Sequence, residues 1–220
     1  EGLEPSTLTL TLVSSRHSLW GHLLWNASIR LAEMFDGGEV DLKGKTVLEL
    51  GAGAGLPGLI AALCGASTVL ITDYGTSVDH TLVEAIRRNI DALSPHVPKE
   101  CLHAAPHVWG GSVQPLLDVL GEGHKFDVIL LADLLFNRSE HRKLLQTCST
   151  ALAPGGTVWV TWGHHDPPKA PLDLKFFEIA AAPHSEGGFD FELEHLPPVQ
   201  YVDLFEEHDG MDEARGVVYT

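Results

Sequence analysis

The period of the apolar residues changes along the chain, from a strand-like alternation near the start to repeating strands and helices later on. Residues 7–12 (TLTLTL) alternate strictly between polar and apolar positions, which predicts a half-buried strand. Apolar residues then recur at helical spacing and predict a helix over 19–35, with Ser18 as its N-cap and Gly37 at its end. We therefore expect an N-terminal extension made of one strand and one helix.

Beyond this extension, short apolar runs alternate with segments of helical period. The runs predict strands over residues 46–50, 68–72, 101–109, 126–132 and 157–162. The segments between and after them predict helices over residues 55–64, 77–93, 112–120, 137–152 and 172–182. A nearly continuous apolar strand such as FDVILLA is typical of a parallel sheet that helices cover on both faces. The alternation therefore predicts an α/β fold.

The last part of the chain is less regular. Residues 189–195 and 215–220 predict two more strands, and the lack of a helix between them favours an antiparallel hairpin at the edge of the sheet. Because strands and helices alternate without a break before this point, we expect a single domain. It divides into an N-terminal extension (1–40), a cofactor-binding core (41–163) and a substrate-side helix with a C-terminal hairpin (164–220).

The strand over 46–50 runs directly into a glycine-rich turn, 51–58 (GAGAGLPG), and then into a helix. Glycines let a ligand approach the backbone closely, and the start of a helix offers unpaired N–H groups. Asp73 lies 20 residues after Gly53, at the end of the next strand, where a carboxylate can accept hydrogen bonds from a cofactor's ribose. This pattern fits a dinucleotide as well as S-adenosylmethionine, and also a tight turn without a ligand.

Charge favours S-adenosylmethionine. The chain has 14 Lys and Arg against 30 Asp and Glu, a net charge of −16, which offers little to a pyrophosphate but suits a sulfonium cation. Glu49 lies two residues before the first glycine, where a dinucleotide site has no need of an acid. The predicted hairpin also departs from the doubled mononucleotide fold. The same acidity argues against a nucleic-acid-binding surface.

The three cysteines, Cys64, Cys101 and Cys148, form neither a disulfide framework nor a zinc site, because their number is odd and their spacing irregular. We therefore expect no metal and a reducing compartment, the cytoplasm. The longest uncharged run, 50–72, holds Pro57 and five glycines and predicts no membrane span. We expect a monomer without a membrane or nucleic-acid partner.

Several motifs together resemble the seven-β-strand class I methyltransferases. They are ELGAGAGLPG, TDY, a Trp near the end of the third strand, DVILLADLLF and LAPGG. Asp133 and Phe136 stand where a branch of protein methyltransferases carries a D-x-x-Y/F motif. LWGHLLWNA (19–27) and ADLLFNRSEHRKLL are similar to the fungal methyltransferases that modify the N-terminus and a lysine of elongation factor 1-alpha. The resemblance covers residues 7–163.

This resemblance implies a Rossmann-like sheet of seven strands, mostly parallel with an antiparallel last strand, helices on both faces, and S-adenosylmethionine as the cofactor. The implied cofactor-binding residues are Trp25, Glu49, Gly51, Ala52, Gly53, Asp73, Tyr74, Trp109 and Ala132. Among them, Asp73 would bind the ribose hydroxyls, Trp109 would pack on the adenine, and Trp25 would close over the cofactor.

Asp133 and Phe136 are the implied catalytic residues. We expect the Asp133 carboxylate to orient the incoming amine by a charge-assisted hydrogen bond and to receive or relay its proton. Phe136 lacks the hydroxyl of the Tyr found in many relatives, so no phenol chemistry is expected. A strand-end carboxylate that bonds only to nearby backbone is the alternative for Asp133.

The implied reaction is methylation of the N-terminal α-amine, an adjacent lysine, or both, in a protein substrate, namely elongation factor 1-alpha. The alternatives are a small-molecule N-methyltransferase acting on a nicotinamide-like ring, an NAD-dependent oxidoreductase, and a non-enzymatic module. The sequence also predicts that Asn137 caps the next helix and that His141 lies on a face of that helix. Trp20 is expected in the core or near the substrate, and His164 is a candidate for the substrate pocket.

Overall fold

Five parallel strands form the centre of the fold. The computed structural model describes residues 7–13, 21–75, 79–93, 95–202 and 212–220. The strands are β1 (Thr46–Leu50), β2 (Thr68–Asp73), β3 (Leu102–Pro106), β4 (Phe126–Ala132) and β5 (Leu152–Thr161). They pair in the order β3-β2-β1-β4-β5, and every neighbouring pair is parallel. The predicted α/β class is confirmed.

Helices connect the strands. They are α1 (Asn26–Asp36), α2 (Leu56–Leu63), α3 (Thr81–Leu93), α4 (Gln114–Leu117), α5 (His141–Ala151), α6 (Ala170–Asp173), α7 (Lys175–Ala181) and α8 (Asp212–Arg215). Short 3₁₀ turns lie at Lys99–Cys101, Arg138–Glu140, Pro167–Lys169 and His184–Glu186. Among the described residues the longest helix, α3, has 13 residues, and no helix there has the length and apolar character needed to cross a membrane.

The two faces of the sheet bury separate apolar clusters, because successive residues of a strand point to opposite faces. Val47 of β1 belongs to the cluster that contains Leu31 of α1 and Ile86 of α3. Its neighbour Leu48 belongs to the cluster that contains Leu144 of α5. All five side chains are almost fully buried. Since burying one such side chain contributes about 1.5–3 kcal/mol, helices on both faces hold the sheet in place.

The carboxyl ends of the five strands meet along one edge of the sheet, because all the strands run in the same direction. Leu50, at the end of β1, lies in register with Leu131, near the end of β4. The loops that leave these two strands, beginning at Gly51 and Asp133, are therefore neighbours. Chain order reverses at β1, and open α/β sheets bind ligands at such a switch point.

The predicted strand over 7–12 is wrong, since residues 7–13 form no strand. Instead, the side chain of Asn89 in α3 accepts a hydrogen bond from the backbone N of Thr11 (2.7 Å) and donates one to its carbonyl O (3.1 Å). Backbone polar groups need partners, and here one amide side chain supplies both. Alternation alone does not reveal this, because the segment is half-buried as predicted.

Helix α1 begins at Asn26 rather than at residue 19. Residues 21–25 form a turn followed by a short link, and Trp25 lines a cavity at the carboxyl edge of the sheet. Helical spacing missed this boundary because apolar side chains that face a cavity follow the same pattern as those that face a core. The predicted N-cap Ser18, as well as Trp20, lies outside the described residues.

The two late strands stand apart from the main sheet. β6 (Val199–Gln200) and β7 (Val217–Val218) form an antiparallel pair. An isolated antiparallel bridge between Trp162 and Tyr219 connects this pair to the residue that follows β5. In the described part of the chain, a parallel sheet of five strands and a separate antiparallel pair thus stand in place of the expected single sheet of seven.

The predicted strand over 189–195 is also wrong. The backbone N of Phe191 donates to the carbonyl O of Ala180 in α7, and the N of Leu196 donates to the carbonyl O of Thr220. These donors are bound outside the sheet, so the segment adds no strand to β5.

Several other elements begin or end a few residues from their predicted limits. α3 begins at Thr81, whose backbone N (3.0 Å) and hydroxyl (2.8 Å) both donate to Asp79 Oδ1; residues 76–78 lie outside the described part. β5 begins at Leu152 and includes the LAPGG segment that was expected to end the preceding helix. The remaining differences are shorter or divided elements, at 101–109 (β3), 112–120 (α4), 137–152 (a 3₁₀ turn and α5) and 172–182 (α6 and α7).

Candidate active site

A cavity of about 440 Å³ lies at the carboxyl edge of the sheet. The loops after β1, β2, β3 and β4 border it, together with the segment before α1. Of the residues predicted for the site, all but Glu49 line it, namely Trp25, Gly51, Ala52, Gly53, Asp73, Tyr74, Trp109, Ala132, Asp133 and Phe136. The fold thus brings together side chains from distant parts of the chain.

The glycine loop after β1 needs its glycines for two reasons. Gly51 and Gly53 have φ values of +62° and +56°, in the left-handed region that favours glycine. A Cβ at Gly51 would also lie 2.7 Å from Leu134 Cδ2 and 3.0 Å from Trp109 Cζ2. A Cβ at Gly53 would meet only Gly21 Cα, at 4.0 Å. The loop is therefore packed tightly at its start and open at Gly53.

Glu49 lies beneath the loop and is not among the residues that line the cavity, so its contact with the cofactor stays a prediction. Its Oε2 accepts a hydrogen bond from the backbone N of Gly58 at 2.8 Å, and a Cβ at Gly58 would lie 2.6 Å from that oxygen. Burial raises the pKa of Glu49 to about 8, against the lowering effect of the Gly58 bond and with a smaller contribution from Asp73. Glu49 is a protonated support for the loop at neutral pH.

Asp73 ends β2 and ties it to the glycine loop. Its Oδ2 accepts a hydrogen bond from the backbone N of Gly53 (2.6 Å), and its Oδ1 accepts one from the N of Tyr74 (2.6 Å). An ionised carboxylate has about four lone-pair sites, so a carboxylate at this position can accept hydrogen bonds from a ligand as well as from the backbone. Asp73 and Tyr74 both line the cavity.

Asp133 has an uncommon backbone conformation. Its φ is +61°, which is rare for a residue other than glycine, and its side chain is buried. Such a conformation costs about 1–3 kcal/mol and is found preferentially at functional sites. Oδ1 accepts a hydrogen bond from His165 Nε2 at 3.0 Å and a longer one from the backbone N of Gly163 at 3.4 Å.

His165 is the site residue that the sequence prediction missed. Besides its bond to Asp133, its ring makes edge contacts with Trp25 (centroids 4.8 Å apart) and Phe136 (5.4 Å). It therefore joins the segment before α1, the loop after β4 and the loop after β5. The His-His dipeptide directly after the fifth predicted strand was the signal that could have identified it.

His164, the candidate for the substrate pocket, does not line the cavity. Its Nδ1 donates to Oδ2 of the buried Asp173 at 2.9 Å, and its ring lies against Tyr219. Of the two adjacent histidines, His165 contacts Asp133 and His164 contacts Asp173, and neither is among the residues that line the cavity.

Asn137 lines the cavity, and its predicted capping role is wrong. It precedes the 3₁₀ turn Arg138–Glu140, but its side chain makes no capping hydrogen bond. His141 is the first residue of α5 and lies on its buried face, and its Nε2 donates to the carbonyl O of Leu135 at 2.7 Å. Burial lowers the pKa of His141, while the Leu135 bond opposes that effect.

His107 is a further cavity residue that the sequence did not single out. It is buried, follows β3 and lies 3.4 Å from the hydroxyl of Thr147 through Nε2. Burial lowers the pKa of His107, so it is neutral at physiological pH. Among the described residues, no group of three or more His, Cys, Asp or Glu is placed to hold a metal ion.

The sheet order and the cavity at its switch point define a Rossmann-like α/β enzyme that binds a nucleoside cofactor beside its first strand. Two solved structures share the fold. One is a protein of Streptococcus mutans assigned as a SAM-dependent methyltransferase, with a TM-score of 0.56 and 15% identity, over 89% of this chain and 48% of that chain. The other is a Klebsiella pneumoniae protein assigned as an O-methyltransferase, with a TM-score of 0.53 and 16% identity, over 90% and 80%.

The family model described as lysine methyltransferase matches residues 5–180, and the chain belongs to this family. Protein N-terminal and lysine N-methyltransferase efm7 of Schizosaccharomyces pombe is 37% identical over 219 residues, which is 98% of this chain and 81% of that protein. Its namesake from Eremothecium gossypii is 41% identical over 207 residues, 92% of this chain and 75% of that protein. The predicted class, a protein methyltransferase, is confirmed over an NAD-dependent oxidoreductase.

Proposed function

We propose that this protein transfers methyl groups from S-adenosylmethionine to the N-terminal α-amine, an adjacent lysine, or both, of elongation factor 1-alpha. The observation that carries this proposal is the buried Asp133 carboxylate, which lies in the same cavity as the glycine loop. Its neighbours are the rings of Trp25, Phe136 and His165. A carboxylate beside aromatic faces attracts a cationic amine.

The cavity suits S-adenosylmethionine. Because nothing lies within 4 Å of a Cβ at Gly53 except one glycine Cα, the loop faces open space that a ligand can fill. Asp73 supplies acceptors for the ribose hydroxyls, and Trp109, which lies against Gly51, supplies an apolar face for the adenine. When bound, S-adenosylmethionine supplies an electrophilic methyl group on a sulfonium ion.

The residues around Asp133 prepare the amine for attack. An amine must lose its proton before it can attack the methyl group. An α-amine has a pKa of about 7.7–8.0 and is partly neutral at cellular pH, whereas a lysine has a pKa of about 10.4 and is only about 0.1% neutral. Asp133 Oδ2 has no hydrogen-bond partner among the described residues, because both bonds go to Oδ1. This oxygen binds the ammonium, orients it and takes its proton.

His165 and Phe136 hold this arrangement in different ways. The His165 bond to Oδ1 fixes the carboxylate plane, so that Oδ2 faces the incoming amine. Phe136 contributes a ring against His165 but no hydroxyl, so the proton goes to a carboxylate rather than to a phenolate. The aromatic rings also keep water away, which strengthens the attraction between the carboxylate and the amine.

The choice of elongation factor 1-alpha rests on the motifs after β4 and before α1 that resemble enzymes acting on this factor. The relatives are named for N-terminal and lysine methylation, which supports the same two types of amine. A net charge of −16 favours encounter with a basic protein segment. None of the three cysteines forms a disulfide, which supports a cytoplasmic location.

The proposal is tested with the purified protein, unmodified elongation factor 1-alpha and tritium-labelled S-adenosylmethionine. We expect label in the protein band, and mass spectrometry should place the methyl groups on the N-terminal peptide. Elongation factor 1-alpha with an acetylated N-terminus has no free α-amine, so any label that it still takes up must be on a lysine. Label that stays in a small soluble product when nicotinamide is added would favour the small-molecule alternative and contradict the proposal.

A further inference from the structure

Asp173 is a buried carboxylate outside the cavity, and both of its oxygens are engaged. Oδ1 accepts a hydrogen bond from Arg138 Nε at 2.7 Å, and Oδ2 accepts one from His164 Nδ1 at 2.9 Å. The side chain of Asp173 is only 1% exposed, against 30% for Arg138. A buried carboxylate is tolerated only with such partners, and removing one of them is strongly destabilising.

The two partners of Asp173 come from the two loops that carry the amine-binding groups. Arg138 lies five residues after Asp133 and two after Phe136, in the loop that leaves β4. His164 directly precedes His165 in the loop that leaves β5. A single carboxylate at the end of α6 therefore ties both loops to one point.

We propose that Asp173 is a positioning residue that sets the distance between Asp133 and His165 by anchoring Arg138 and His164 at the same carboxylate. The proposal rests on the proposed function, in which Asp133 binds the amine. Neither Arg138 nor His164 nor Asp173 lines the cavity, so Asp173 acts through its neighbours and does not touch the substrate. A displacement of about 1 Å at a reacting group can lower a rate about 100-fold.

The first test is Asp173→Asn, which keeps the shape of the side chain but removes its charge. We expect kcat to fall about 100-fold, while the affinity for S-adenosylhomocysteine, measured by calorimetry, changes less than about twofold because the glycine loop and Asp73 are untouched. Asp127→Asn is the matched control. Asp127 Oδ2 accepts hydrogen bonds from Thr46 N and Oγ1 at the opposite end of β4, so this variant should lose stability but not turnover.

A purely structural role for Asp173 predicts the reverse pattern. Asp173→Asn would then resemble Asp127→Asn, with a lower melting temperature and an unchanged kcat. That result, or a parallel loss of cofactor affinity and turnover, would overturn the proposal. The double variant Arg138→Gln with Asp173→Asn should be no slower than Asp173→Asn alone, because the two side chains act as one unit.

A second measurement does not depend on methyl transfer. The Cε1 proton of His165, assigned by its loss in His165→Gln, should change chemical shift in Asp173→Asn because the His165 bond to Asp133 is displaced. An unchanged His165 signal contradicts the anchoring role whatever the substrate is. A shifted signal in a protein that methylates no elongation factor would support the anchoring and contradict the proposed substrate.

Discussion

The two ends of the cavity are built differently. The cofactor end is the part lined by the glycine loop and Asp73, and its polar groups are mostly backbone groups and one carboxylate from neighbouring strands. An example is the hydrogen bond from Gly53 N to Asp73, two residues that lie 20 positions apart in the chain. The amine end is the part around Asp133, where side chains from three separate segments meet. There Trp25 contacts His165, and His165 contacts Asp133. Local motifs therefore specify the first end, whereas tertiary packing assembles the second.

This difference has a consequence for mutation. The cofactor end should lose binding when the backbone conformation is disturbed, because its donors and its shape belong to the main chain. The amine end should lose turnover while cofactor affinity is retained, because we propose that its side chains act on the substrate.

Asp133→Asn should show the largest difference between the two ends, because it should lower kcat without changing cofactor affinity. The amide keeps the size of the side chain but cannot accept a proton from the amine, so we expect kcat to fall about 100- to 10,000-fold. Calorimetry with S-adenosylhomocysteine should give an affinity close to that of the wild type. Retained methylation would remove Asp133 from the reaction and leave it as a strained structural residue.

Gly51→Ala should act on the other end. A side chain at a left-handed φ costs about 1–2 kcal/mol, and the new Cβ would also overlap Leu134 at 2.7 Å. If the loop relieves this strain in the free protein, binding must restore it, so we expect the affinity for S-adenosylmethionine to fall by about fivefold to thirtyfold for the strain alone. Gly155→Ala is the control, since Gly155 has a similar φ but nothing within 4 Å of its Cβ. Equal cofactor binding by both variants would show that the loop does not contact the cofactor.

His165→Leu tests the side chain that the sequence did not reveal. A hydrogen bond to a charged group is worth about 1.5–3 kcal/mol, so kcat should fall by at least about tenfold. His165→Gln places an amide donor near the original Nε2 and should recover much of this loss. If His165→Gln and His165→Leu have the same low kcat, the imidazole of His165 has a role beyond holding the Asp133 carboxylate.

Glu49→Gln should have the smallest effect on cofactor binding at neutral pH. With its pKa raised to about 8 by burial, Glu49 is already neutral, and an amide resembles the protonated acid. Between an unfolded pKa of about 4.3 and this folded value, the unfolded chain has lost a proton that the folded chain keeps. Stability from this group therefore falls as pH rises through that range.

Melting temperatures measured across this pH range provide the check on Glu49. The wild type should lose stability with rising pH more steeply than Glu49→Gln, which has no proton to release. Parallel curves would mean that the buried carboxyl is ionised in the folded protein, and the support that it gives to Gly58 would then be a charged one.

The strands of the core were predictable because their signal is local. The FDVILLA run coincides with β4, and the TVLEL run with β1, because a strand that is buried on both faces consists of nearly continuous apolar residues. Residues 7–12 and 189–195 carried an equally regular alternation but form no strand, because Asn89 in one case and Ala180 in the other bind their backbone. The alternation of polar and apolar residues indicates which side chains are exposed, but it does not indicate which partner the backbone N–H and C=O groups bind.

The candidate site was predictable to the extent that a motif carries it. The glycine loop, Asp73 and the D-x-x-F motif each lie next to a strand end, so their meeting at one edge follows from parallel strands. Glu49 was assigned to the cofactor, yet its position beneath the loop depends on how α2 packs over β1. The choice between His164 and His165 depended on which side of one loop each residue faces.

The amino-acid sequence by itself therefore determined the α/β class, the strands of the core, the family, and half of the residues that line the cavity, because these depend on burial patterns and on motifs at strand ends. Only the tertiary structure decided that His165 rather than His164 contacts Asp133. It also decided that Asp173 joins the loops after β4 and β5, and that the late strands stand apart from the main sheet. These features depend on contacts between residues far apart in the chain, for which a single sequence holds no local signal.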